Sequence, residues 1–561
     1  MDSKVSYDLK PVKMASLTGK KLSILAWAME SNLLKTALMP GMLKSMGMDK
    51  FRSRDPEEPA TALPIASVDI RGVHEEAIDL KIFNKIEGNA DSMIPYRSVR
   101  DYAQAYKKGK SPEAVAEKAL DAIRQADSGE FKLRPFIAVN EDDVMRQARD
   151  SAGRWKAGKP LSVLDGVPIT AKDQLDMVPY PTTVGTRFFG KVPVRQDATI
   201  VARMRAAGAL MMGKANLPEL VAHATGLNLN YGSTRNPFNP EYDTGGSSSG
   251  SATAVSAGIC AIALSTDGGG SSRIPAAFCG VVGLKPSHGR ISDFGYFTTC
   301  PSVATAGLIA ATVEDAAIAY ACVAGKDVKD ATSWQQPTPT LENWNKGDLK
   351  GIKLGIYRPW FEHATPEILK VCNASLEKLT AAGAEIKEIV IPDLDIMRIT
   401  HVVVLLGEMA NTMRKYPANL RDLRAATRIG LSLGREFNIG DYIKTQRMRT
   451  HYMKIFSDVF NKVDAIITPT TAITAPQVSL KDASAGWLDL SGATEVMRYA
   501  FPANLVGLPA ISFPAGYNNL GLPIGMQAMG RWWDEALLLR IAFNAEKVVE
   551  RRRPVKYFDL I

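Results

Sequence analysis

The sequence predicts an α/β protein: one large domain with a mixed, twisted β-sheet sandwiched between helices (α/β/α), carrying an N-terminal helical extension. Three observations predict it. Short β-rich apolar runs alternate with segments of helical period along most of the chain. No composition break follows residue 70, so residues 71–561 read as one large domain and 1–70 as N-terminal helical extension and linker. The 561 residues are 46% hydrophobic and 23% charged, a folded enzyme's composition rather than that of a disordered chain.

The elements follow in order. In "LTGKKLSILAWAMESNLLKTALMPGMLKSMGM", Leu22, Leu25, Ala26, Met29 and Leu33 recur at helical spacing, with Lys20, Lys21, Glu30 and Lys35 between them. Ten lysines and arginines against four acids fall in residues 1–54, so most of the chain's +9 charge sits there. Such a basic amphipathic helix either lies in a membrane surface, through residues 17–48, or docks on the body or on a second copy of the chain. "RSRDPEEPATALP" at 52–64 reads as a linker, and the body begins near residue 70. "SPEAVAEKALDAIRQAD" at 111–127 is a helix capped by Ser111 with Pro112 at its first position, and "EDDVMRQARDSAGRWKAG" is a second. "LDGVPITAKDQ" is a short strand ending at Lys172.

"DATIVARMRAAGALMMGKANLPEL" reads as helix, buried strand and a turn into another helix. Its "GALMMGKA" approaches a phosphate-binding loop, but Ala215 replaces the hydroxyl that would hold magnesium, which argues against nucleotide binding. "GIKLGIYR" and "AEIKEIVIP" flank a helical "EILKVCNASLEKLTAAG", and "VDAIITPTT" is a buried strand.

Composition narrows the function classes. Cys260, Cys279, Cys300, Cys322 and Cys372 have no CxxC spacing, which suits a reducing compartment and argues against structural zinc. His74, His223, His288, His363, His401 and His451 form no metal-binding pair, so no metal and no cofactor are expected. No uninterrupted apolar run reaches the ~18 residues of a membrane span, and the start lacks a secretory signal's pattern. An intracellular protein, soluble or peripherally attached to a membrane, is expected.

The chemistry concentrates in "STDGGGSSR" at 265–273. The strand-like "GICAIAL" precedes it and "RIPAAFCGVVGLKP" follows, so the glycines form a tight turn rather than a linker. Consecutive glycines can turn several N–H groups into one concavity, and a serine at its end can attack a carbonyl while those groups stabilise the oxyanion. No GxSxG elbow is present with a suitably placed histidine, so something other than histidine must serve as base. A lysine depressed by desolvation can serve, and Lys172, ending the apolar "VPITA", is the best placed. "TGGSSSGSA", with Ser247, Ser248 and Ser249, supplies a second cluster.

Together "LDGVPITAKD", "GSTRNPFNPEYDTGGSSSGSATAVSAG" and "ALSTDGGGSSRIPAAFCGVVGLKPSHGRIS" resemble the amidase signature family over roughly residues 75–550. That resemblance implies a single amidase-signature domain and a Ser–cis-Ser–Lys triad. It assigns Ser271 as nucleophile, Ser247 as the bridging serine and Lys172 as base, with 24 positions between the serines as in the family. It further implies an oxyanion hole from the N–H groups of Gly268, Gly269, Gly270 and Ser271, a cis Gly246–Ser247 peptide, and support from Ser248, Asp267 and Arg273. Gly268 and Ser272 depart from the side chains common in the family without removing a triad group.

The leader is similar to that of plant-type fatty acid amide hydrolases, which implies a small amide substrate of lipid character, N-acylethanolamine or primary fatty amide, and no nucleic-acid partner. The Met-rich leader can line an acyl channel. Alternatives are an amidase, aryl acylamidase or carbamate/ester hydrolase for shorter or aromatic substrates, and the amidotransferase subunit that makes glutaminyl-tRNA.

Overall fold

A computed structural model describes residues 6–12, 14, 16–61, 77–84 and 94–561. The expected 70/71 boundary and His74 lie outside those residues. The strands are β1 (Leu17–Thr18), β2 (Phe136–Ala138), β3 (Pro168–Lys172), β4 (Leu210–Ala215), β5 (Ile262–Asp267), β6 (Val282–Lys285), β7 (Thr305–Ala310), β8 (Lys353–Ile356), β9 (Glu385–Glu388), β10 (Ala465–Pro469), β11 (Trp487–Leu488), β12 (Ala510–Tyr517) and β13 (Pro523–Gly530). Eleven of them form one sheet in the order β2-β4-β3-β5-β7-β6-β12-β13-β10-β8-β9. β3 is parallel to β4 and β5, whereas β5 and β7, and β12 and β13, are antiparallel, so the sheet is mixed as expected.

Every residue of β3 to β7, β10 and β13 is buried, which requires cover on both faces. Helices supply it. Helix Pro112–Ala126 starts as predicted, Ser111 accepting from the Glu113 N–H, and helix Glu141–Lys156 follows. Near the centre, helices Ser249–Ser256 and Arg273–Phe278 press against the sheet and are buried along their whole length.

Two expectations change. After β4 the predicted helix is only a three-residue turn, Glu219–Val221, because Leu220 and Val221 take φ of 52° and 55° and the Leu220 N–H donates to the Val184 carbonyl. The leader is three helices rather than one: α1 (Gly19–Glu30), α2 (Asn32–Ser45) and α3 (Met48–Ser53), with extended Ser31 breaking the first two. Leu22, Ala26 and Met29 still share a buried face, packed with Ile429 and Leu433 of helix Ala425–Gly434. Leu33, beyond the break, is 82% exposed, and Trp27 is 60% exposed. The apolar stripe therefore docks α1 on the body, and a different set of side chains faces outward.

The last six residues of "GALMMGKA" form β4, in which Lys214 lies 3.2 Å from the Asp173 carboxylate and donates to the Leu175 carbonyl. Its lysine is a buried structural ion pair.

Candidate active site

Parallel β3 and β5 end side by side, and their carboxyl ends open into a crevice, the usual place for a site in such a sheet. β3 delivers Lys172 as its last residue, and β5 delivers Thr266 and Asp267 before the chain turns through 268–272 into helix Arg273–Phe278. Ser247 arrives from the loop before helix Ser249–Ser256, across a cis Gly246–Ser247 peptide. A backbone bond from the Ser248 N–H to the Ser271 carbonyl, 3.1 Å, ties the two serine clusters together.

Lys172 is fully buried, its Nζ 2.8 Å from Ser247 Oγ and 2.9 Å from Thr266 Oγ1. Burial lowers its ammonium from 10.5 to about 7, against Asp267, whose charge favours the protonated form. Neighbours fix the direction of these bonds. Gln174 Nε2 donates to the Phe297 carbonyl, which leaves Gln174 Oε1 to accept from Thr266 Oγ1 at 2.7 Å. With its proton so used, Thr266 can only accept from Lys172. A neutral lysine then has its lone pair free for the Ser247 hydroxyl. Neither Thr266 nor Gln174 was singled out in the sequence, although Thr266 stands inside a motif stretch and Gln174 directly after one; their roles depend on the parallel pairing of β3 with β5, which residue spacing does not announce.

The turn is braced from below. Asp267 is fully buried and accepts from Arg273 Nε at 3.0 Å and Nη2 at 2.9 Å, from Asn504 Nδ2 at 3.0 Å and from the Gly270 N–H at 2.7 Å. Burial alone would raise this carboxyl, but the Arg273 guanidinium overrides it and holds it far below the usual range. Arg273 also donates to Gln527 and Asn504, both at 2.6 Å, so it stabilises the loop and does not line the cavity. Gly270 differs from expectation: its φ of 105° turns its N–H onto Asp267, which removes it from the oxyanion donors. The Ser248 hydroxyl donates to the Thr266 carbonyl at 3.2 Å.

The two serines of the turn separate clearly. Ser272 is fully buried with Oγ 2.7 Å from Ser265 Oγ, whereas Ser271 is half-buried and lines a small cavity of about 60 Å³ together with Ser247, Thr266, Gly268 and Gly269. A larger apolar cavity of about 290 Å³ shares Ala222, His223, Ala224, Leu405 and Met497 with the small one. Met14, Met46 and Met48 of the leader line it. Among the described residues no group of three or more His, Cys, Asp or Glu could hold a metal ion.

The family described as Amidase matches over residues 115–539. A fatty acid amide hydrolase from Medicago truncatula is 40% identical over 490 residues, 85% of this chain and 81% of its own length. One from Arabidopsis thaliana is 35% identical over 589 residues, covering 100% of this chain and 97% of its own. Among solved structures, a protein from a vestigial complex tied to the origins of an s-triazine catabolic enzyme superposes with a TM-score of 0.75 at 27% identity, over 82% of this chain and 100% of its own.

Proposed function

This chain belongs to the amidase signature family and is an amidohydrolase of that family, and on that premise we propose that it cleaves long-chain N-acyl amides to fatty acid and amine through Ser271, Ser247 and Lys172. Ser271 Oγ attacks the amide carbonyl carbon while its proton passes to Ser247 Oγ and the Ser247 proton to neutral Lys172 Nζ. The N–H groups of Gly268, Gly269 and Ser271 stabilise the oxyanion, each worth roughly 3–4 kcal/mol in such sites. The carbon–nitrogen bond then breaks, and the leaving nitrogen takes a proton from Lys172 by way of Ser247. Water attacks the resulting ester, giving its proton back along the same path and restoring Ser271.

The observation that carries the lipid assignment is the apolar cavity sharing a wall with the one that holds Ser271. At about 290 Å³ it stands near the ~300 Å³ lower bound of small-molecule pockets, and methionines soften its outline. Burying a methylene there is worth ~0.8 kcal/mol, so kcat/KM is expected to rise two- to fourfold per added carbon until the cavity is full.

The leader fits this substrate. Ile24, Trp27 and Leu33 are 62%, 60% and 82% exposed, and Lys20, Lys21 and Lys44 of the same two helices are exposed as well. We assign this face to an anionic lipid surface, where apolar side chains insert and lysines meet headgroups. No helix among the described residues is long and apolar enough to cross a membrane.

The test is kinetics of the pure protein on acyl amides from C2 to C20, with glutamine and an aryl anilide as competing substrates and Ser271→Ala as control. A long-chain optimum with an inactive Ser271→Ala is expected. A short-chain or anilide optimum would move the substrate to the shorter acyl amides, and preference for glutamine would move it to ammonia transfer. Full activity in Ser271→Ala would overturn the nucleophile.

A further inference from the structure

We propose that His401 is a positioning residue that holds the Gly268–Gly269 peptide with its N–H turned into the catalytic cavity. The inference rests on the amidase reading above and adds a group that the family motifs do not contain.

His401 sits on helix Leu394–Thr412, over 130 residues downstream of the turn, and is fully buried. Its Nε2 lies 2.8 Å from the Gly268 carbonyl oxygen. A carbonyl can only accept, so Nε2 carries the proton and donates. Desolvation lowers the imidazolium to about 4, the bond to Gly268 notwithstanding, so the ring is neutral across the working range and this tautomer persists.

The geometry of a peptide plane does the rest. In a trans peptide the carbonyl of one residue and the N–H of the next point in opposite directions. The Gly268 carbonyl points to His401, so the Gly269 N–H points away from it. His401 borders the large apolar cavity and not the small one, whereas Gly268 and Gly269 both line the small one. The peptide therefore stands between His401 and the Ser271 cavity, with its N–H on the Ser271 side.

Such a brace is needed at this peptide in particular. Glycine on both sides of it removes the Cβ contacts that restrict rotation, so the plane can flip at little cost and present its carbonyl to the oxyanion instead. The space at 269 is also tight. A Cβ there would lie 2.7 Å from Met497 Cε and 3.3 Å from His401 Cε1. The chain accepts a floppy peptide where His401 and Met497 crowd it, and the His401 hydrogen bond returns the order.

The test compares His401→Gln with His401→Met, which are similar in volume and differ in an N–H donor. Substrate is dodecanoyl p-nitroanilide, and the second readout is inhibition by dodecanal, whose hemiacetal with Ser271 mimics the tetrahedral intermediate. His401→Met is expected to lose about 100-fold in kcat with KM within twofold, and to weaken dodecanal in proportion, while His401→Gln recovers about tenfold. Equal kcat in the two variants, wild-type kcat in His401→Met, or unchanged dodecanal affinity would overturn the proposal. Melting curves check the fold. Should His401→Met not fold, His401→Gln decides alone: at least a tenth of wild-type kcat supports the brace, and a 100-fold loss with native melting refutes it. Wild-type enzyme that neither turns over the anilide nor binds dodecanal would instead sink the amidase reading on which this rests.

Discussion

Lys172→Met should abolish turnover and at the same time make the folded protein more stable at pH 7. Lys172 is fully buried, and burial takes its ammonium from 10.5 to about 7. Below about pH 7 it is protonated in both folded and unfolded chains, and the folded chain bears the whole cost of burying the charge. At ~1.4 kcal/mol per pH unit that cost is about 5 kcal/mol. Between about pH 7 and 10.5 the folded protein has released a proton that the unfolded chain still binds, so wild-type stability climbs with pH, and above 10.5 the cost is gone. Methionine removes the cost but leaves the Ser247 and Thr266 hydroxyls without their lysine partner, at about 1–2 kcal/mol each. The variant is therefore expected to be about 1–3 kcal/mol more stable than wild type at pH 7 and, with only about 0.8 kcal/mol of the burial cost left, about 1–3 kcal/mol less stable at pH 10. Urea unfolding of both proteins at pH 7, 8.5 and 10 reads the difference, and Lys214 and Lys285, also buried and lowered, are common to both and cancel. A stability difference that does not change with pH would refute the reasoning. The kinetic counterpart is a wild-type kcat/KM that rises tenfold per pH unit up to about pH 7 and is level above it; a flat profile from pH 5.5 to 8 would show that no neutral lysine is required.

Thr266→Val keeps shape but removes the acceptor that orients the Lys172 amine, so kcat should fall ten- to 100-fold with KM unchanged; a KM effect alone would place Thr266 among substrate contacts instead. On the leader, Trp27→Asp with Leu33→Asp should abolish sedimentation with vesicles containing phosphatidylserine while leaving hydrolysis of a dispersed C8 amide intact, and undiminished binding would remove residues 17–48 from the membrane contact. Point variants are the cleaner tool there, because Met48 and Phe51 are buried in the core and Met46 lines the apolar cavity.

The fold class was legible because its signals are local. Ser111 before Pro112, the apolar "VPITA" and the small-residue run before "STDGGG" each announce their element within a few residues. The candidate site was legible as three motifs, and the structure sets Lys172 2.8 Å from Ser247 while Ser247 and Ser271 line one cavity. What spacing missed is tertiary. Ser31 breaks the leader helix although the apolar period runs on through it, and that break turns Leu33 outward. Leu220 adopts a left-handed backbone because Val184, a distant residue, takes its N–H. Gln174 and Thr266 look like ordinary strand-end polar residues until β3 and β5 are seen to pair.

The three glycines of the turn show why local and distant information had to meet. Glycine permits the conformation an oxyanion nest requires, but permission is not order, and a run of three gives the chain many other states. Each end of the run is held by a side chain outside it. Gly270 is held through its N–H by Asp267, which is itself locked by Arg273 and Asn504. Gly268 is held through its carbonyl by His401. Between these two anchors the direction of the Gly269 and Ser271 N–H groups is set. The first anchor lies within the motif, and its partner Arg273 is six residues from Asp267. The second lies on a helix that no motif marks. Had both anchors been local the turn would read as complete in sequence; because one is not, substitutions on helix Leu394–Thr412 can tune the rate without altering a single residue of the signature.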